Sequence, residues 1–147
     1  MYFEKVSRRA WLPLSALLIV AIYAVGTYSG IAAAADVKVS LAGDQEVPPV
    51  KSAGAGTGTI IVSDQKSVSG SVTSTGIAGT AAHIHEAAIG KNGPVIIPLT
   101  KNGDTYAVPA GAKLTDEQFT SFKAGNLYVN VHTVANPGGE IRGQLKP

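Results

Sequence analysis

His83 and His85 flank Ile84 in the stretch "HIHEAAIGKNGP", and the chain's third histidine, His132, lies in "LYVNVHT". Two imidazoles separated by one residue share a face of a β-strand, about 6.6–6.8 Å apart along it. From there both can lean onto one ion, while Ile84 turns to the opposite face. His132 belongs to a run in which Leu127, Val129 and Val131 alternate with Tyr128, Asn130 and His132. If the two strands are neighbours, all three rings converge. Three neutral imidazoles with an open fourth position suit zinc or copper. His83, His85 and His132 are the candidate metal ligands on this reading. The competing reading is structural: the rings bond backbone and polar neighbours on a sheet face, and a bare His-x-His has many chance matches.

The neighbouring residues are expected to support rather than to react. Glu86 falls on the face opposite His85 in an unbroken strand, which makes it a solvated or paired carboxylate. Tyr128 and Asn130 either hydrogen-bond the imidazoles from behind or simply line the sheet. Glu140 and Arg142 share one face of a last strand and are expected to pair with each other or with adjacent strands. An exposed pair of that kind contributes only about 0–1 kcal/mol. The sequence holds no Gly-rich phosphate loop with a lysine, no serine elbow and no spacing that orients a Ser-His-Asp triad. Enzymatic activity is not the expectation.

The elements that must position these residues read as β. "DVKVSL" alternates Val37, Val39 and Leu41 with polar residues, the period of a half-buried strand. Pro48 and Pro49 end that pattern, because neither can sit in a central ladder. Thr57–Val62 and Ser67–Thr73 form a hairpin around "SDQKS", and "KNGD" carries the Asn-Gly signal of a tight turn. One helix is expected over Thr115–Lys123. Thr115 and Gln118 have capping-box spacing, Asp116 and Glu117 suit the positive end of the dipole, and Gly125 follows the stop. Many short strands, frequent turns and one short helix predict an all-β fold: an antiparallel, Greek-key-like β-sandwich.

The first 35 residues differ from the rest. A short basic start with Lys5, Arg8 and Arg9 precedes an uncharged apolar run that ends in small residues. This is the pattern of a secretory signal peptide, and Ala33 and Ala35 place the cut after Ala35. The alternative is an uncleaved membrane anchor, since the run approaches the ~20 residues of a span. Either way residues 36–147 are expected outside the cytoplasm, secreted or periplasmic, with a membrane partner only if the leader stays. The full chain has 12 Lys+Arg and 10 Asp+Glu, of which three basic residues and Glu4 fall in the leader. Nine of each sign remain, so the exported part is formally neutral. It lacks the basic stripe of a nucleic-acid binder. It has no cysteine, so its fold depends on an apolar core without disulfides.

Three segments together, "LAGDQEVPPVKSAGAGTG", "AHIHEAAIGKNGPVIIPL" and "AGNLYVNVHTVANPGGEIRGQL", resemble the CHRD (chordin) domain over about residues 37–146. One departure is Ala87, where the family often has glycine. The resemblance implies a binding module outside the cell, of the single-domain exported type found in prokaryotes. A weaker similarity joins "HIHE" and "VNVHT" to the copper site of Cu/Zn superoxide dismutase. It implies His83, His85 and His132 as ligands and Arg142 as an anion guide. The absence of a fourth histidine and of cysteine excludes that enzyme's two-metal site. Three readings stay open: an exported module holding copper or zinc, a metal-free extracellular interaction or matrix domain whose partner is a protein, and a copper-only dismutase-like enzyme.

Overall fold

The computed structural model describes Met1 and residues 34–147. The expected leader therefore lies almost wholly outside the described residues. Among the described residues nine strands and one α-helix follow in chain order, with a short 3-10 turn at Gly43–Gln45: β1 (Ala34–Ala42), β2 (Ala55–Ser63), β3 (Val68–Thr75), β4 (Gly79–Glu86), β5 (Val95–Pro98), β6 (Thr100–Asn102), β7 (Thr105–Ala107), α1 (Asp116–Lys123), β8 (Leu127–Thr133) and β9 (Ile141–Leu145). The expected hairpin is β2 with β3, in which Val62 pairs with Val68 and Ala55 with Thr75. The Asn-Gly turn joins β6 to β7, with Gly103 at positive φ. Helix α1 carries the full capping box: Thr115 accepts from the Gln118 backbone N–H, and Gln118 accepts from the Thr115 N–H.

The strands form one sheet in the order β5-β4-β8-β9-β1-β2-β3-β7-β6. This corrects the sandwich expectation. The sheet is not split into two layers but curls until it is nearly closed into a barrel. The reason lies in one segment. Residues 95–98 pair with β4, Leu99 donates its N–H to Ala82 O at 3.0 Å, and residues 100–102 pair with β7. One short stretch of chain thus touches both ends of the sheet. Alternating apolar residues specify an inner and an outer face, and a curled sheet satisfies that pattern as well as two packed ones do. Tight curvature also needs room. Gly70, in β3, sits at φ +107° with its α-carbon against the Thr59 carbonyl, a place where any side chain would collide.

The interior is filled by Val37, Val39 and Leu41 of β1, Ile60 and Val62 of β2, Ile84 of β4, Leu127, Val129 and Val131 of β8, and Ile141 and Leu145 of β9. Helix α1 adds Phe122, with Phe119 packed beside it. With Leu127, Val129 and Val131 committed inward, Tyr128, Asn130 and His132 are forced onto the outer face.

Candidate metal centre

Strands β4 and β8 are direct neighbours, and their register places the histidines together. His83 lies opposite Asn130, His85 opposite Tyr128, and His132 opposite Ala81. Both ladders of β4 are irregular close to the histidines: the β5 side shifts register between Ile84 and His85, and the β8 side between Gly79 and Ala81. Such shifts re-aim side chains. One ligand nitrogen from each ring lies within 4.8 Å of the others. Tetrahedral coordination at about 2.0–2.1 Å requires nitrogens about 3.4 Å apart, so small ring movements suffice.

The tautomers follow from the partners. His85 Nδ1 lies 2.9 Å from Gly93 O, and His132 Nδ1 lies 2.9 Å from Pro137 O. A carbonyl oxygen only accepts, so each Nδ1 carries the proton and each Nε2 keeps its lone pair. This is how imidazoles are held for a metal: one nitrogen fixed by an outer acceptor, the other free. His83 Nδ1 is 2.8 Å from His132 Nε2 and donates to it in the absence of an ion. His85 Nε2 is different. It is buried and has no hydrogen-bond partner.

Residues 37–145 match the CHRD domain. The chain belongs to the CHRD family. CHRD domains are non-catalytic binding modules, which agrees with the expectation that this chain is no enzyme. No curated protein and no solved structure matches the chain. This CHRD domain accordingly carries a three-histidine cluster that could coordinate a metal ion. The family departure at Ala87 costs no strain: among the described residues Lys66 is the one non-glycine at positive φ.

Arg142 does not act as a guide for anions in this CHRD domain. It is 1 % exposed. Its guanidinium donates to Lys91 O, Asn92 Oδ1, Ala88 O and Gln144 Oε1, and stacks 3.4 Å from the Tyr128 ring centre. Tyr128 also stacks on His85, at 4.7 Å and nearly parallel. Since β8 lies between β4 and β9, the three form a column of imidazole, phenol ring and guanidinium. Of the two alternatives expected for Glu140, pairing with Arg142 is not formed among the described residues, whereas bonding to the adjacent strand β8 is, through Thr133. Glu140 accepts instead from Ser52, Thr133 and Asn136, and bonds from Thr133 first, then Ser52 and Asn136, hold its carboxyl below the usual range. Glu86 is paired, accepting from Ser121 Oγ at 2.6 Å.

Sequence reasoning missed Glu46, which sits in the proline-broken loop after β1 and is 5 % exposed. It also missed the carbonyls of Gly93 and Pro137, because acceptors on the backbone leave no mark in residue type.

The site has a pH signature. Burial pushes His83 down from the ordinary imidazole value, helped by the neighbouring His132 and His85. Burial also pushes His85 down, against the raising effect of the Gly93 carbonyl. The unfolded chain therefore takes up protons first, as pH falls through about 6.5. Metal-free protein is expected to lose stability from that point until the folded rings also protonate. Urea midpoints at about pH 7.5 and pH 5.5 check this, bracketing the ordinary imidazole value. The double variant H83A/H85A should show a shallower fall, and an equal fall would remove the histidines as its cause.

Proposed function

We propose that this CHRD domain is an exported metal-binding module in which His83, His85 and His132 hold one copper or zinc ion. The observation that carries the reading is His85 Nε2: a buried lone pair with no partner, on a ring whose other nitrogen is locked to Gly93 O. A purely structural histidine spends both nitrogens on hydrogen bonds, because a buried polar atom left bare is costly. An ion satisfies it. All three rings are neutral ligands, a set that suits copper and zinc. His83 and His132 are only half-buried, which leaves the outer side for a fourth ligand such as water or a group from an extracellular or periplasmic protein.

Export rests on the basic start, the uncharged run and the Ala33-x-Ala35 pattern. Cleavage after Ala35 keeps Asp36–Ala42 of β1 paired with β2. Among the described residues no helix is long and apolar enough to cross a membrane.

Calorimetric titration of untagged protein with Cu²⁺ and with Zn²⁺ tests the assignment. One ion per chain is expected. Affinity should hold near neutral pH and fall steeply toward about pH 5, where protons compete for the imidazoles. No uptake, or equal uptake by H83A/H85A, refutes it in favour of the metal-free interaction domain.

A further inference from the structure

Five buried side-chain atoms lack a hydrogen-bond partner among the described residues, and three of them are Glu46 Oε1, Asn130 Oδ1 and His85 Nε2. The three share a neighbourhood. Asn130 is 1 % exposed and lies opposite His83 in the ladder. Its strand neighbours on the same face are Tyr128, which stacks on His85, and His132, which bonds His83. Asn130 is therefore surrounded by the histidine site. On its other side, Asn130 Nδ2 and Glu46 Oε1 both press against Gly139, at φ +132°, where a methyl group would collide with each. All three bare atoms are acceptors, so together they lack a positive charge or a donor.

The Glu46 loop is itself tied to the site. Val50 N–H donates to Gly43 O at 2.8 Å, and Asn92 Nδ2 donates to Val47 O at 2.6 Å. Asn92 precedes Gly93, whose carbonyl orients His85. Glu46 makes no direct ion pair among the described residues: the Arg142 guanidinium, whose charge favours the Glu46 carboxylate from a distance, spends its hydrogen bonds on four neutral oxygens. Arg142 offsets part of the cost of burying Glu46, but Glu46 Oε1 is still left without a donor, and a buried acceptor of that kind is costly.

We propose that Glu46 is a positioning residue for the histidine site, acting on His85 through the side chain of Asn130. Its charge fixes the orientation of the Asn130 amide, whose nitrogen lies beside Glu46 Oε1 at Gly139, and it supplies the negative charge that an ion at the histidines would otherwise lack. The affinity arm of the following test rests on the metal-binding reading, and the ring arm does not.

E46Q keeps the shape of the side chain and removes its charge. In metal-free protein, its His85 ring nitrogen resonances are expected to move, with the backbone amide spectrum otherwise preserved. Affinity for Zn²⁺ is expected to fall about 10-fold, within the 10–100-fold range of outer-partner losses. E46D should stay within about threefold of wild type, since it retains the charge. N130A should resemble E46Q, and E46Q/N130A should be no worse than either alone, because the two act in series. Unchanged His85 resonances in E46Q, or losses that multiply in the double variant, overturn the proposal. If wild-type protein takes up no Zn²⁺ while E46Q still moves the His85 ring, the metal reading fails and the coupling stands.

Discussion

His85→Ala is expected to lower the affinity for copper or zinc by about 100- to 1,000-fold. Four-ligand zinc sites contribute about 10–16 kcal/mol, so one ligand accounts for about 2.5–4 kcal/mol. His85 should cost at least as much as His83 or His132. It is the most buried of the three, and its ring is held on two sides, by Gly93 O and by the Tyr128 face. The half-buried pair can be replaced in part by water, whereas a gap at His85 lies beneath them. Saturating metal at about 100 times its dissociation constant stabilises wild type by about 2.7 kcal/mol, and H85A should lose that increment. Metal titration and thermal unfolding with and without Zn²⁺ measure both quantities. Affinity within about threefold of wild type would remove His85 from the ligand set, since outer positions alone account for 10-fold or more.

Arg142→Ala is expected to destabilise the fold by about 3–5 kcal/mol, the range for breaking a buried charged network. The side chain joins β9 to the loop between β4 and β5, and among the described residues it is the donor to Lys91 O and Asn92 Oδ1, while Ala88 O also accepts from the Lys91 N–H. The loss also frees one face of Tyr128, and with it the column that holds His85. Arg142→Lys should recover little, because an ammonium cannot reach four acceptors in a planar fork. Urea unfolding gives the answer directly. A change below about 1 kcal/mol would mean that the buried guanidinium does not hold the loop.

The local elements were legible in the sequence because each depends on near neighbours. The alternation of Leu127, Val129 and Val131 identified the inner face of β8, and Thr115 with Gln118 identified the start of α1. Pairing was not legible. That β4 lies beside β8, and so that His132 meets His83, depends on tertiary packing between segments about 50 residues apart. Arg142 read as a surface residue because its burial depends on carbonyls from a distant loop. Glu46 was hidden in a stretch with no periodicity. The barrel was not legible because residue type in "VIIPLTKN" gives no sign that its first half pairs with β4 and its second with β7, at opposite ends of the sheet.

That closure bears on how the domain behaves in a crowd. A sheet of nine strands with two long open margins would offer unpaired backbone to every other copy, and a cysteine-free domain has no covalent staple against strand exchange. Here the margins are strands of only four and three residues. Pro98 removes a donor from one, and Lys101 places a charge on the other. The segment that shapes the barrel is thus also its guard against self-association, so high concentrations of the domain should be tolerated without fibrils.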